Sequence, residues 1–476
     1  MDQTAHHSRA PEDLIVGLAL AATWWVYLVG GLYVLGPVLG VGLTGLLFMR
    51  QYVRDDALSS RTIPTLPSGV WVWIVGMLVM LLALEMGHMT QNLSLGQTLK
   101  STIGWAKGWA LLALFPLIGA CLHIRLETLI RGCGWVALGS LGLTPVFLLA
   151  PIMGLPEVLF VSPLKLVGGP GPEFFAVQLY SYEPMDGSTR LRYFTPWSPA
   201  AGMIGNMYLI FALSDKRTFW KWMGVISALA MIFTSKSRLA IAAALFIWPV
   251  VIAAGEAKRP FMWFLATIGL LTLTPLAQGL LDWLDATLKS VKSMRADSTR
   301  VREMLGEIAV DRWWTEAPIW GHGVVERGPH AVEFMPIGSH HTWYGLLFVK
   351  GAVGAIALAI PLAWSLVEFA VLAVSRAPAG RIAFGMVLLM AFYSIGENLE
   401  ILAYLIWPGL IAMGIAAREI HQLASSADLN SRQTPPMRSA ETCAGVAGKR
   451  GALALSNPSP SPKSLTVSPP EAIKKG

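Results

Sequence analysis

Residues 32–49 read LYVLGPVLGVGLTGLLFM, eighteen consecutive positions without a charged side chain. A helix needs about 20 apolar residues to cross roughly 30 Å of hydrocarbon, so this stretch predicts a membrane span. Gly30 and Gly31 stand directly before it and separate it from an earlier apolar run. A glycine pair at such a point predicts a tight hairpin between two spans. We therefore expect an all-α polytopic membrane protein.

The composition of the whole chain agrees with this prediction. Of the 476 residues, 54% are hydrophobic and only 14% are charged, whereas a soluble domain carries about 25% charged residues. Apolar runs long enough to span a membrane recur about twelve times. The predicted spans are 14–30, 32–49, 69–86, 103–122, 134–154, 198–214, 219–234, 239–254, 260–280, 344–373, 382–396 and 401–417. The span over 344–373 is long for one crossing, and Pro361 is the position where a kink is expected.

Basic side chains fall in alternate short loops between the predicted spans. Cytoplasmic loops carry an excess of Lys and Arg, so this alternation predicts that both termini are cytoplasmic. The outer side then receives two long loops, about 155–197 and 281–343, and two short turns near Ser235 and Glu397. The basic residues of the inner loops are Arg50, Arg54, Arg61, Arg125, Arg131, Lys216, Arg217, Lys221, Lys258, Arg259, Arg376 and Arg381.

Several classes of structure and function are disfavoured. The formal net charge is +7, but no helix-turn-helix pattern, zinc-finger spacing or dense basic arm is present, so no nucleic-acid partner is expected. Cys121, Cys133 and Cys443 have no CxxC spacing and indicate neither a metal site nor a disulfide framework. Residues 421–476 are rich in Ser and Pro and predict a disordered cytoplasmic tail, which follows a transmembrane domain over 1–420.

A helix is expected within the second long outer loop. Val301, Leu305 and Ala309 recur there with helical spacing. On a helical wheel Arg302 lies beside the apolar edge and Arg300 on the far side. If the helix rests on the membrane surface, Arg302 is held at head-group depth, where an arginine binds a phosphate bidentately. The alternative is that these arginines only hydrate the helix or pair with its glutamates.

Four histidines follow this helix in the sequence: His322, His330, His340 and His341. They have no standard metal-ligand spacing, so no metal site is predicted. His340 stands at the mouth of the next predicted span, where an imidazole acts as a base near neutral pH. A structural histidine that bonds to loop backbone is the competing interpretation.

Charged residues also occupy the other outer segments. Lys236 and Arg238 lie in a short turn between two spans, and cations at such a point face outward or into a cavity. A phosphate or pyrophosphate suits them, and simple snorkelling at the interface is the alternative. Glu397 lies in another outer turn, where it balances arginines, orients a histidine or is solvated. Arg192 stands beside aromatic residues that either anchor the loop at the interface or stack on sugar rings.

Together these motifs resemble the O-antigen ligase and polymerase superfamily of bacterial surface-polysaccharide enzymes. That family shows His-Asn-x-Tyr-Leu, then a glycine eleven residues after the His and another three later. The chain has a histidine, His341, at the Asn position. The family's Ser-Arg turn between spans, and its outer-loop arginine before Pro-x-x-Gly-x-Gly, are also matched. The matching residues are His340, His341, Tyr344, Gly351, Gly354, Ser237, Arg238, Arg300 or Arg302, Pro318, Gly321 and Gly323.

The resemblance implies a fold of the membrane glycosyltransferase C type in the bacterial inner (plasma) membrane. It implies a glycan on undecaprenyl diphosphate as donor, a lipid or saccharide acceptor on the periplasmic side, and contact with membrane lipids. The ligases of the family invert the anomeric centre without a metal, and no cofactor is expected.

The resemblance and the placement of charge also suggest roles for individual residues. Arginines on the leaving diphosphate stabilise its developing charge, and the acceptor hydroxyl needs a base. Glu397 is expected to orient that base or the acceptor. The catalytic candidates are Arg238, Arg302, His340 and Glu397. The candidates for substrate binding are Lys236, Arg300, Arg192, His341 and Tyr344.

Three functions stay open from the sequence. A ligase joins a finished glycan to another molecule, whereas a polymerase or an exopolysaccharide-producing relative extends repeat units. Both would share the fold and the donor, and the acceptor pocket is not a motif. A transporter of lipid-linked sugars would predict charges within the spans and repeat symmetry. The predicted spans are poor in charge and show no repeat, so glycan transfer is favoured.

Overall fold

The computed structural model of this protein describes residues 10–57, 66–183, 187–274 and 296–433, with positions 279 and 282. Residues up to Ala427 belong to one compact unit. Of a second unit, Asp428–Gly476, only the end of the last helix is described. Helices make up most of the described chain, as the apolar runs predict.

The first half of the described chain holds seven helices and the second half nine. The helices of the first half are α1 (Pro11–Ala21), α2 (Thr23–Leu28), α3 (Leu32–Ala57), α4 (Ser68–Thr90), α5 (Leu95–Lys107), α6 (Leu111–Cys121) and α7 (Leu126–Leu149). Those of the second half are α8 (Ser198–Leu213), α9 (Thr218–Thr234), α10 (Arg238–Glu256), α11 (Pro260–Leu273), α12 (Ala296–Glu316), α13 (Thr342–Val374), α14 (Pro378–Tyr393), α15 (Leu399–Leu402) and α16 (Trp407–Gln433).

Six helical segments of the described chain are long and apolar enough to cross a membrane. They are Leu32–Arg50, Ser68–Thr90, Leu95–Cys121, Leu126–Leu149, Arg238–Glu256 and Thr342–Val374. Shorter apolar helices occur at Ser198–Leu213, Thr218–Thr234, Pro260–Gly269 and Pro378–Tyr393. The helical membrane class is therefore confirmed, whereas the number of twelve spans stays a prediction.

Two predicted spans are interrupted where no break was expected. The run 14–30 divides at Ala22 into α1 and α2, and the run 103–122 divides around Gly108 into α5 and α6. A uniformly apolar run carries no local signal for such a break. At Gly108 the cause is tertiary, because a Cβ there would lie 2.7 Å from Cγ of Glu400. The predicted hairpin at Gly30 and Gly31 is present, with Gly30 at φ +66°.

The break in α13 lies at Gly351 and not at Pro361, where the kink was expected. Gly351 has φ 62° and ψ −166°, outside the helical region, while Pro361 stays within the helix. A glycine is required there because L-residues with a side chain rarely adopt positive φ. Pro361 instead packs against α4, where Gly76 brings that helix close to it. Nearby, Nε1 of Trp73 on α4 donates a hydrogen bond of 2.8 Å to Oγ of Ser365.

The predicted outer loop 155–197 is folded. It contains two small antiparallel sheets, in which β1 (Val158–Val161) pairs with β2 (Ala176–Gln178) and β3 (Ser181–Tyr182) pairs with β4 (Thr189–Arg190). Among the described residues, β-structure is confined to these strands and an isolated bridge between Arg327 and Pro336. The loop ends in a buried segment that leads directly into α8, which is itself buried over almost its whole length.

The last helix extends beyond the predicted end of the membrane domain. α16 continues from Trp407 to Gln433, so the first residues of the predicted disordered segment 421–476 are helical. The apolar start of this helix is buried and its later turns are exposed. Residues 434–476, which carry most of the predicted disordered tail, lie outside the described part of the chain.

Candidate functional site

The outer-loop helix predicted from its apolar spacing is present as α12, and it packs across the beginning of α13. Gly306 lets the two helices approach, since a Cβ there would lie 2.7 Å from the ring of Tyr344. Leu305 is buried in a small cluster with Val332, and Ala309 is buried against residues that include Phe348 of α13. The apolar face of α12 is thus covered by protein, which leaves the opposite face exposed.

A cavity of about 860 Å³ lies between that exposed face and the start of α13. We call it the α12 groove. Three residues predicted to bind substrate or phosphate line it, namely Arg302, His341 and Tyr344. The rings of His341 and Tyr344 are stacked 4.0 Å apart, and His341 caps α13 by accepting a hydrogen bond from the Tyr344 amide. Other polar and aromatic residues of the groove are Glu303, Glu307, Asp311 and Trp314.

Glu397 lies in the turn after α14 and is buried, with 4% of its surface exposed. Its Oε2 accepts a hydrogen bond of 3.0 Å from Nε1 of Trp197. Its backbone carbonyl accepts one of 2.7 Å from Oγ1 of Thr342, the first residue of α13. The Leu399 amide donates to that same hydroxyl at 3.1 Å. Side chains far apart in sequence therefore hold the Glu397 turn against the start of α13, next to the α12 groove.

The environment of Glu397 changes its proton affinity. Burial raises the pKa of this carboxyl to about 7, although Arg302, the Trp197 hydrogen bond and Arg190 each lower it in part. Burial penalises the charged form of any ionisable group, and nearby cations favour a carboxylate. Glu397 therefore titrates near neutral pH, and Arg302 is close enough to influence it.

Arg302 influences His340 as well, and it lowers the pKa of both side chains. Burial and then the charge of Arg302 lower the pKa of His340 to about 4. The expectation that His340 titrates near neutral pH is therefore wrong in this environment, because burial and the charge of Arg302 both oppose a positive charge on the imidazole. His340 is neutral at pH 7 and is a weak proton acceptor. Its assignment as the base stays a prediction, with Glu397 now the stronger candidate.

Lys236 and Arg238 occupy the predicted turn between α9 and α10, and both are exposed. Oγ of Ser237 caps α10 by accepting a hydrogen bond from the Ala240 amide at 3.3 Å. The turn adjoins the segment before α8, because Nε of Arg190 donates to the Ser235 carbonyl at 3.3 Å. The turn also approaches the Glu397 turn, where Gly396 lies against Leu239. Neither cation is among the residues that line the α12 groove.

The remaining predicted binding residues are not brought to the groove. Arg192 donates to Oε1 of Gln178 and, at 3.1 Å, to the carbonyl of Pro196, contacts that hold its own loop together. The neighbouring Tyr193 and Phe194 are buried, so they anchor the loop and do not present a face to a sugar. Arg300 is exposed on α12 and does not line the groove. Of the two candidate arginines on α12, the geometry therefore favours Arg302.

His322 has structural contacts. Its ring stacks on Phe348 at 4.2 Å, and its Nε2 lies 2.8 Å from Oε2 of Glu316. Arg312 forms ion pairs with Glu316 at 2.8 Å and Glu326 at 2.6 Å, and hydrogen bonding to Arg312 lowers the pKa of Glu316 to about 2. These contacts hold the end of α12 against α13. Within the described residues, no group of three or more His, Cys, Asp or Glu is arranged to hold a metal ion.

Glycines of two motifs form one packing arrangement. Gly321 and Gly323 belong to the Pro-x-x-Gly-x-Gly stretch, and Gly351 is the first of the two motif glycines after the histidines. The segment that contains Gly321 and Gly323 docks on the break in α13, where the Gly323 amide donates to the Val349 carbonyl at 2.9 Å. A Cβ at Gly351 would overlap the Ile319 carbonyl, and one at Gly321 would lie 2.5 Å from the Gly351 amide. The backbones thus approach so closely that only glycine fits.

One buried charged residue of α13, outside the α12 groove, was missed. Lys350 is 4% exposed, and its Nζ lies 3.9 Å from Oε2 of Glu400 and 5.5 Å from the centre of the Trp109 ring. An ionisable residue within a span usually has a functional or pairing role, and the run LLFVKGAVG around Lys350 carried that signal. The predicted spans are therefore not free of buried charge.

No protein-family model matches the chain, and no curated protein matches it in sequence. The function of this chain is therefore inferred from the geometry of the site and from the motif residues themselves.

Proposed function

We propose that this protein is a membrane glycosyltransferase that moves a glycan from undecaprenyl diphosphate to a lipid or saccharide acceptor. The observation that carries the proposal is the position of Arg302. This exposed arginine lines the α12 groove and also acts electrostatically on both His340 and Glu397. A cation for a diphosphate, two candidate proton acceptors and a large open groove therefore occur together.

The proposed reaction is a single displacement. The acceptor oxygen forms a bond to the anomeric carbon while the bond from that carbon to the diphosphate oxygen breaks, and the configuration inverts. The acceptor proton passes to a protein base, and the electron pair leaves with the diphosphate. Arg302 stabilises the charge that develops on the leaving group, with Arg238 and Lys236 in the adjoining turn as further cations.

We propose Glu397 as the base, with His340 as a neutral hydrogen-bonding group. A general base works best when its pKa is close to the working pH, and Glu397 meets this condition at about 7. His340, at about 4, has too little proton affinity to compete at neutral pH. This assignment exchanges the roles that the motif resemblance suggests for the two side chains.

The lining of the α12 groove supports a saccharide as the molecule bound there. Aromatic rings at Tyr344 and Trp314 and carboxylates at Glu307 and Asp311 suit the apolar faces and hydroxyl groups of a sugar. Ligase and polymerase would both use such a groove, so their products must distinguish them. We further propose that this side of the protein is periplasmic, in a bacterial inner membrane, with both termini in the cytoplasm.

The test uses the purified full chain in detergent with a short glycan on undecaprenyl diphosphate, with and without a candidate lipid acceptor. A single product that requires the acceptor would support a ligase, and a ladder from the donor alone would support a polymerase. Glu397→Gln is expected to lower the rate of product formation by about 10²–10⁴, whereas the matched control Glu333→Gln, an exposed carboxylate outside the groove, retains the rate. Lack of product from the unaltered protein over a panel of donor glycans would contradict the proposal.

A further inference from the structure

A second cavity lies at the other end of the helices that lead to the site. It has a volume of about 280 Å³ and is formed by α8, α9, α10 and α14. We call it the α8 groove. Leu209 and Ile210 of α8 are buried at its floor, and Trp222 of α9 and Trp248 of α10 form its walls, 55% and 36% exposed. The groove is thus mainly apolar and opens toward the outside of the helix bundle.

Two cations line this groove, Lys221 on α9 and Arg381 on α14. Glu256 also lines it, but its carboxylate is already engaged by Arg376 at 2.6 Å and Arg259 at 2.8 Å. The remaining charge at the groove is therefore positive. Among the residues that the structure describes, the buried Nε of Arg381 has no hydrogen-bond partner. A guanidinium is well suited to an oxyanion, which it binds bidentately.

An apolar groove lined by two cations suits a ligand that is both apolar and anionic. Free cations beside hydrocarbon are costly and are normally paired, and acyl chains cover apolar surface that faces the bilayer. The volume of the α8 groove is close to the lower limit of about 300 Å³ for small-molecule pockets, which accommodates part of an acyl chain. The lipid phosphate would then stay near Lys221 and Arg381.

We propose that the α8 groove binds one anionic phospholipid, with an acyl chain between Trp222 and Trp248 and the phosphate on Lys221 and Arg381. These cations belong to the loops that predict the cytoplasmic side, so the lipid would come from the inner leaflet. The site is distinct from the α12 groove, and its occupancy does not depend on glycan transfer.

The experiment uses the full chain, delipidated in detergent, and phospholipids with brominated acyl chains, which quench nearby tryptophans. Brominated phosphatidylglycerol is expected to quench Trp222 and Trp248 in a saturable manner, at lower concentration than brominated phosphatidylcholine. The signal of the two residues is obtained by difference from a Trp222→Phe and Trp248→Phe double variant. Lys221→Ala and Arg381→Ala should each weaken binding about 5-fold, and together about 25-fold, because a basic residue near a lipid surface contributes about 1 kcal/mol.

Two further variants make the outcome decisive. Lys258→Ala removes an exposed cation of a neighbouring inner loop that does not line the groove, and it should leave the affinity unchanged. Ala244→Leu narrows the groove without changing a charge and should reduce the quenching by phosphatidylglycerol. Equal quenching by the two lipids would overturn the proposal. A loss of affinity in Lys258→Ala equal to that in Lys221→Ala or Arg381→Ala would also overturn it.

Discussion

Glu397 and His340 show how a single side chain depends on its surroundings. Glu397 is buried and His340 is half-buried, and desolvation penalises the charged form of each. For the carboxyl, burial raises the pKa to about 7 against the opposing effect of Arg302. For the imidazole, burial and Arg302 act together and lower the pKa to about 4. The ordinary order of proton affinity between Glu and His is therefore reversed at this site.

This reversal predicts the pH dependence of transfer. Glu397 is active as a base only when deprotonated, so the rate should rise with pH along a limb centred at about 7 and be lost below it. His340 is neutral throughout that range and adds no limb of its own. The pH profile of kcat/KM across the neutral range measures this. Glu397→Gln should remove the limb and lower the rate by about 10²–10⁴. A rise in kcat/KM near pH 4, or a rise that persists in Glu397→Gln, would favour His340 as the base.

The two neighbouring arginines of α12 provide a second prediction at this scale. Arg302 lines the α12 groove and Arg300 does not, although both are exposed on the same helix. Arg302→Gln should lower kcat/KM by about 100-fold or more, the typical effect of removing one group that stabilises developing charge. Arg300→Gln should cause a clearly smaller loss. Steady-state kinetics on variants with matched elution profiles measures both, and equal losses would contradict the assignment.

At the scale of elements, the break in α13 determines how the outer segments meet. The segment after α12 docks into that break, and the Ala352 amide donates to the Pro318 carbonyl at 2.9 Å. The same break gives room to Gly321, while Arg312 secures the end of α12 through ion pairs with Glu316 and Glu326. The position of Arg302 thus follows from packing between two helices and a glycine-rich segment.

Replacement of the glycine at the break should therefore destabilise the protein. Gly351→Ala would place a side chain at φ 62° and against the Ile319 carbonyl, and the strained conformation alone costs about 1–3 kcal/mol. Gly42→Ala is the matched control, because Gly42 lies within α3 with nothing near its Cβ position and should be neutral or stabilise by about 0.4–1 kcal/mol. Thermal unfolding in detergent measures both. Equal midpoints for the two variants would show that the break tolerates a side chain.

At the scale of the whole molecule, functional candidates from several segments that are predicted to be outer gather at one end of the bundle. The loop before α8, the turn before α10, the start of α13 and the turn after α14 are linked by direct contacts through Trp197, Arg190 and Thr342. The α8 groove lies where α8 ends and α9 begins, in the half that carries the basic loops.

The orientation itself predicts which positions a membrane-impermeant reagent reaches. In a background with Cys121→Ser, Cys133→Ser and Cys443→Ser, a Glu333→Cys variant should react with an impermeant maleimide in intact spheroplasts. Lys258→Cys, also an exposed position, should react only after the membrane is opened. Labelling followed by a mass-shift gel measures this. The reverse pattern would invert the topology and move the α12 groove to the cytoplasmic side.

The sequence alone determined the class of fold and several elements. A run of apolar residues is sufficient to predict a membrane helix, because the hydrocarbon thickness sets its length. Apolar periodicity predicted α12, and the glycine pair predicted the hairpin at Gly30 and Gly31. These features depend on residues close in sequence, so a local pattern reveals them. The breaks at Ala22, Gly108 and Gly351 were not found. At Gly108 and Gly351 the close contacts come from Glu400 and Ile319, which lie elsewhere in the chain.

Tertiary structure alone decided which candidates meet and what chemistry they support. Arg302, His340 and Glu397 come from three segments, and only packing brings them within electrostatic range. Burial then reverses the expected order of proton affinity between Glu397 and His340. Packing also places Tyr193 in the core and buries Lys350 of α13 beside Glu400. Distance and desolvation are properties of the folded chain and are not carried by residue type. A motif therefore indicates which residues to consider, whereas the packing of helices determines their charge and their neighbours.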